Sequence, residues 1–161
     1  MKKGTIALLV VGVFILALVM GTLTTYNGLV SKDEAVAPTW GNVQSQYQRR
    51  ADLVPNLVST VKGYAKHESE TLEGVVAARA KATQITVNAD ELTPEKLKQY
   101  QAAQGELSQA LGRLMAIQEN YPQLKANENF SELQAQLEGT ENRINESRQL
   151  FNSAVQTYNV S

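Results

Sequence analysis

Val36–Arg79 reads VAPTWGNVQSQYQRRADLVPNLVSTVKGYAKHESETLEGVVAAR. Apolar residues recur along it in steps of three and four: Val36, Trp40, Val43, Tyr47, Ala51, Val54, Val58, Val61, Ala65, Leu72 and Val75. Only Glu68 and Arg79 interrupt the stripe. Such a period lays one apolar edge along a helix and requires other helices to cover it, as in a coiled coil. Its phase runs through Pro38, Pro55 and Gly63, which predicts kinks there rather than full turns. Pro55 has no N–H for the Ala51 carbonyl, so a bend is expected.

Towards the C-terminus, Ile85–Thr93 carries β-branched residues with Asn88 and Asp90 and reads as a connection. Thr93 caps a second helix with Pro94 at its first position; its seam is Leu97, Tyr100, Gln104, Leu107, Leu111 and Leu114. Tyr121-Pro122 ends it. A third helix begins between Asn127 and Ser131, with a seam of Phe130, Leu133, Leu137, Thr140, Ile144, Ser147, Phe151, Ala154 and Tyr158. Short connections imply antiparallel neighbours. The polar seam residues Glu68, Arg79, Gln104, Thr140 and Ser147 read as devices that fix the register. Lengths leave two arrangements open. A first helix running from Ser31 to Thr83 is about 80 Å long, against about 40 and 50 Å for the others. Either it folds back near Gly63–His67, giving four helices, or its N-terminal half packs on another partner such as a second copy.

Towards the N-terminus, Ser31-Lys32-Asp33-Glu34 matches a capping box and Asn27-Gly28 reads as a break before it. Beyond the break lies Thr5–Thr24, TIALLVVGVFILALVMGTLT, twenty residues without charge or proline. As a helix it measures about 30 Å, the thickness of a bilayer's hydrocarbon core. The run is long for a signal peptide and no A-x-A site follows it before Tyr26, which favours a retained anchor over a cleaved leader. Lys2 and Lys3 before the run, against Lys32 after it, place the N-terminus in the cytoplasm and the body outside the inner membrane. The fold class expected is therefore all-α. Residues 1–26 form a transmembrane helix, and 27–161 an antiparallel bundle of three to four long helices.

Composition narrows the function classes. Setting aside Lys2 and Lys3 leaves 13 basic residues of the 15, against 16 acidic, a net charge of −3. That balance excludes a nucleic-acid binder of the usual basic kind. The chain has no cysteine, so thiol catalysis and disulfides are excluded. His67 is the single histidine; Tyr64 stands three residues before it, where a di-iron bundle needs glutamate, and His67-Glu68 is not H-E-x-x-H. There is no nucleophile elbow and no phosphate-binding glycine loop. No cofactor is expected, and the chain reads as a non-enzyme.

The sharpest polar cluster is Arg49-Arg50-Ala51-Asp52. Its arginines either pair with acids such as Glu138 or Glu141 on the third helix, or recognise a partner's carboxylates or lipid phosphates. Asn56 and Lys62 extend the same surface, and Pro55 and Gly63 are candidate hinges. Trp40, the single tryptophan, reads as core. In an uncovered N-terminal half it would instead anchor a second chain.

These segments resemble the LemA family of bacterial membrane-anchored proteins. The resemblance rests on Tyr26-Asn27-x-Leu29-Val30, Asp33-Glu34, Trp40 and the block Tyr47–Glu68, YQRRADLVPNLVSTVKGYAKHE. It continues through Val75 to Arg79, Glu119-x-Tyr121-Pro122-x-Leu124-Lys125, and Glu141-Asn142-x-Ile144 to Tyr158-Asn159. It implies an N-terminal membrane helix and an antiparallel, largely four-helix body, without a settled activity. Members usually continue beyond the Tyr-Asn pair, so the bundle is expected to be incomplete at its C-terminus. Two functional readings follow. One is a single-pass helical scaffold of the cell envelope whose partners are the lipid bilayer and further copies of itself or other envelope proteins. The other is an accessory or sensor subunit of an envelope protease or transporter.

Overall fold

The computed structural model describes the backbone of residues 3–160 and the side chains of residues 11–24 and 35–160. Its elements are α1 (Lys3–Tyr64), α2 (Ser69–Gln84), a 3-10 turn at Ala89–Glu91, α3 (Pro94–Ala116), a second 3-10 turn at Ile117–Asn120, α4 (Pro122–Lys125) and α5 (Glu128–Asn159). No strand occurs among the described residues.

Two expectations are corrected. α1 runs unbroken through Asn27-Gly28 and Ser31–Glu34, so no new helix starts at Ser31. Interrupting a helix strands up to four carbonyls and four amides, whereas a glycine inside one costs about 1 kcal/mol relative to alanine. The second correction falls at Gly63, where a kink was expected. Gly63 is helical, but α1 stops one residue later and the chain folds back through Ala65–Glu68. The Glu68 amide donates to the Ala65 carbonyl (3.3 Å) and the Leu72 amide to the Glu68 carbonyl (3.0 Å), carrying the chain into α2. Ala65 stays buried through the turn, which is why the apolar phase survived it in the sequence. The body thus has four long helices.

Local chemistry sets the other ends. Thr93 Oγ1 accepts from the Lys96 amide at 3.2 Å, ahead of Pro94. Asn127 Oδ1 accepts from the Phe130 amide at 2.9 Å, while its Nδ2 donates to the Tyr64 hydroxyl at 2.9 Å. That second bond pins the start of α5 to the end of α1. From there the two helices run antiparallel in step: Tyr64 meets Asn127, Arg50 meets Glu141, and Trp40 meets Phe151. α2 packs on α1, and α3 packs on α2.

The core has two parts. Between Ala51 and Ala65 the inward face of α1 is aliphatic and packs with Leu72, Val75, Leu107, Leu114, Phe130 and Leu137. Further towards the N-terminus, Trp40, Val43 and Tyr47 join Val87, Tyr100, Ile144 and Phe151 in a second, aromatic cluster. Arg50 lies between them in sequence.

Within the apolar run, Val11, Phe14, Leu16, Val19, Met20 and Leu23 are all exposed. Among the described residues no helix is long and apolar enough to cross a membrane. The anchor expected over Thr5–Thr24 lies partly outside them, since the side chains of residues 5–10 are not described.

Candidate functional site

Arg50 and Arg49 are neighbours in sequence and opposites in space. The helix turns Arg50 inward, 2% exposed, and leaves Arg49 on the surface. Arg50 Nη1 meets Glu141 Oε1 on α5 at 2.9 Å. Its Nη2 donates to both the carbonyl and the Oε1 of Gln104 on α3, at 2.8 and 2.7 Å. Gln104 Nε2 in turn donates to the Ala82 carbonyl of α2 at 3.2 Å. Arg50 and Gln104 together therefore connect all four helices. Its carbon sits 5.0 Å from the Tyr47 ring centroid, and Nε has no hydrogen-bond partner. A charge so deeply desolvated is tolerable because Glu141 and the two Gln104 oxygens surround it.

The tyrosines beside this layer titrate high. Burial pushes the Tyr100 phenol up to about 12, with the nearby Tyr47 adding to it. Burial also raises Tyr47, against the opposing pull of Arg148 and Arg50. Both phenols are thus neutral over the physiological range.

Trp40 is interior. Its Nε1 donates to the Val87 carbonyl at 2.8 Å, and its ring packs at 5.3 Å on Tyr100 and 5.2 Å on Phe151. Gln44 Nε2 donates to the same carbonyl at 2.8 Å. The Ile85–Thr93 connection is therefore not a free loop but a strap held from α1. Pro55 is also handled by a neighbour: the Ala51 carbonyl that it orphans accepts from Arg79 Nε of α2 at 2.8 Å.

The other candidates do not share one surface. Arg49 and Asp52 line a cleft of about 590 Å³ between α1 and the end of α2, with Tyr47, Tyr100 and Gln104 on its walls. Asp52 accepts there from Gln48 Nε2 at 2.8 Å. Asn56 lines a different cleft, of about 320 Å³, between α1 and α5. Lys62 belongs to a third, between α1 and α2. Pro55 and Gly63 are exposed. Among the described residues, no three His, Cys, Asp or Glu side chains come together in a way that could hold a metal.

Compared with known proteins, residues 39–161 match the model of the LemA family. The chain belongs to the LemA family. It is also similar to magnetosome proteins MamQ 1 and MamQ 2 of Paramagnetospirillum magneticum, 30% identical over 174 residues, covering 96% of this chain and 63% of each relative. Magnetosome protein MamQ of Magnetospirillum gryphiswaldense is 30% identical over 165 residues, covering 91% of this chain and 60% of the relative. The chain thus spans less than two thirds of the length of these curated relatives.

The matched LemA region contains every residue of the four-helix layer, Arg50, Ala82, Gln104 and Glu141. The sequence marks Gln104 as a polar residue in the seam, but nothing in its spacing connects it to Arg50. Both fall in step with the apolar seam of their helices, three or four residues from Tyr47, Val54, Tyr100 and Leu107, and that coincidence is the available signal. Val87 was overlooked altogether, although the alternation Ile85, Val87, Ala89 with polar residues between them marks one inward face.

Proposed function

We propose that this LemA-family chain is a non-enzymatic helical module of the bacterial cell envelope. Residues 5–24 hold it in the inner membrane, and residues 35–160 present helix surfaces to copies of itself or to other envelope proteins. The observation that carries this reading is the apolar run at the start of α1. Val11, Phe14, Leu16, Val19 and Leu23 point to different sides of one helix and none of them is covered. Apolar surface on every side of a helix is stable only inside protein or lipid. The body's own core is already filled by other residues. Lys2 and Lys3 support a cytoplasmic N-terminus. Confinement to the membrane plane raises effective concentration, so weak side-by-side contacts suffice for assembly.

Carbonate-washed membranes test the anchor. The full chain is expected to stay in the pellet. Leu16→Arg with Val19→Arg, costing about 6 kcal/mol of insertion energy together, is expected to release it. Retention of the doubly charged variant would reject the anchor.

The orphaned carbonyl at Pro55 favours a second reading, as an accessory or sensor subunit of a protease or transporter. The Ala51 carbonyl there depends on a side chain from another helix, a bond that a partner could exchange. Cross-linking in native membranes separates the two: links between copies support self-assembly, and one recurrent foreign protein supports the accessory role.

A further inference from the structure

A groove of about 670 Å³ runs between the last turns of α1 and the outer side of α2. Its floor is apolar: Val58 from α1 and Leu72, Val76, Ala77 and Ala80 from α2. Val76 is 51% exposed, a large aliphatic residue left open to water. The charge is gathered at one end. Lys62, Lys66 and Ser69 cluster where the chain turns from α1 into α2, while Ala77 and Ala80 lie about two and three helical turns away. Neither lysine is ion-paired; the four salt bridges among the described residues involve Arg50, Lys81, Lys96 and Lys125. Glu68, which precedes the first turn of α2, gives it no side-chain cap, because its carboxylate accepts from the Tyr121 hydroxyl instead. The turn end therefore presents two lysines that form no salt bridge among the described residues, with Glu73 one helical turn further along the same groove.

We propose that this groove binds a single long-chain carboxylate, with its head between Lys62 and Lys66 and its hydrocarbon tail along α2 from Leu72 to Ala80. The charge pattern selects that occupant: an unpaired cationic end and an apolar trough match one anionic head on one tail. Size argues the same way. The volume falls within the range of about 300–1,000 Å³ typical of small-molecule pockets. A protein partner would need roughly 20–30 residues on each side, and nine line this groove. A bilayer face is disfavoured by distance, since Lys62 lies about 60 Å along α1 from Leu23. Glu73, on the rim one turn in from Ser69, repels a carboxylate placed deeper and so holds the head at the lysine end.

The test uses the full chain in phosphatidylcholine nanodiscs, with a diazirine-bearing palmitate as photoprobe and mass spectrometry to map the adduct. Labelling of Leu72–Ala80 is expected to saturate and to be competed by palmitate but not by hexadecanol. Lys62→Glu with Lys66→Glu should weaken it about tenfold, and the double Lys→Arg variant should retain it. Val76→Phe, which fills the trough without touching the lysines, should abolish it. Trp40 emission, from the other end of the bundle, verifies that each variant is folded. Labelling confined to residues 5–24, equal competition by hexadecanol, or indifference to charge reversal would overturn the proposal.

Discussion

On the Trp40 side of the Arg50 layer the core is built from rings: Trp40, Tyr47, Tyr100 and Phe151, with centroids 5.2–5.6 Å apart in three pairs. On the Tyr64 side it is mostly aliphatic, with Val54, Leu57, Val61, Leu107 and Leu114 all but fully buried. The difference follows from how far α2 reaches. It is the shortest of the four long helices and ends at Gln84, so towards Trp40 its place is taken by the Ile85–Thr93 strap. Aliphatic side chains close-pack between four regular helices. Where one wall is irregular, large rings fill the wider gap, and the indole N–H secures the strap. One end is held by side-chain interlock and the other by a few rings and hydrogen bonds.

Trp40→Ala should cause the largest loss, about 4 kcal/mol, because it opens a cavity and removes one of the two donors to the Val87 carbonyl. Hydrogen exchange should then accelerate over residues 85–93. Leu114→Ala in the aliphatic end is expected to cost about 3 kcal/mol and leave the strap protected. Equal acceleration in both variants would erase the distinction between the two ends.

Next comes Arg50→Ala, at about 3 kcal/mol, since it strips Gln104 of its buried partner. Arg50→Met refills the space but also leaves Gln104 and Glu141 without their donor, so it should recover only the packing part, about 1 kcal/mol, in denaturant melts. A methionine variant as stable as the native chain would remove the hydrogen bonds of this layer from any role in holding the ends together.

Alkali should act most strongly on the aromatic end. The folded Tyr100 pKa, about 12, lies above the unfolded value of 10.0. Its contribution is therefore complete below pH 10 and disappears as pH rises from 10 to 12, worth up to about 2 kcal/mol. Tyr100→Phe should flatten that part of the stability curve; an unaltered slope would place the titration elsewhere.

The smallest effect is expected at Pro55. Arg79→Ala should cost about 1 kcal/mol in the native chain and less in a Pro55→Ala background, where residue 55 regains its own N–H for Ala51. Equal costs in the two backgrounds would remove Arg79 from any role at Pro55.

Much of the fold was legible because period and caps agree. Trp40, Val43, Tyr47, Ala51, Val54 and Val61 are buried as their spacing requires, and Thr93 and Asn127 cap α3 and α5. The sequence stripe was too narrow, however. Leu53 and Leu57 are also buried, because α1 is covered by α5 on one side and α2 on the other. A single stripe describes a helix with one neighbour. The fold-back at Ala65–Glu68 was only one of two alternatives, since a turn that keeps its apolar phase looks like continued helix. The site was less legible still. Which of two adjacent arginines turns inward depends on where Gln104 and Glu141 arrive from distant helices, and their separations in sequence carry no such information.

The Arg79 bond to the Ala51 carbonyl has a bearing on the order of events during synthesis. A proline ordinarily softens the helix that contains it. Here the orphaned carbonyl is satisfied by a residue that leaves the ribosome later, so this one bond of the middle of α1 waits for α2. Docking of α2 against α1 therefore supplies the hydrogen bond that the proline withholds.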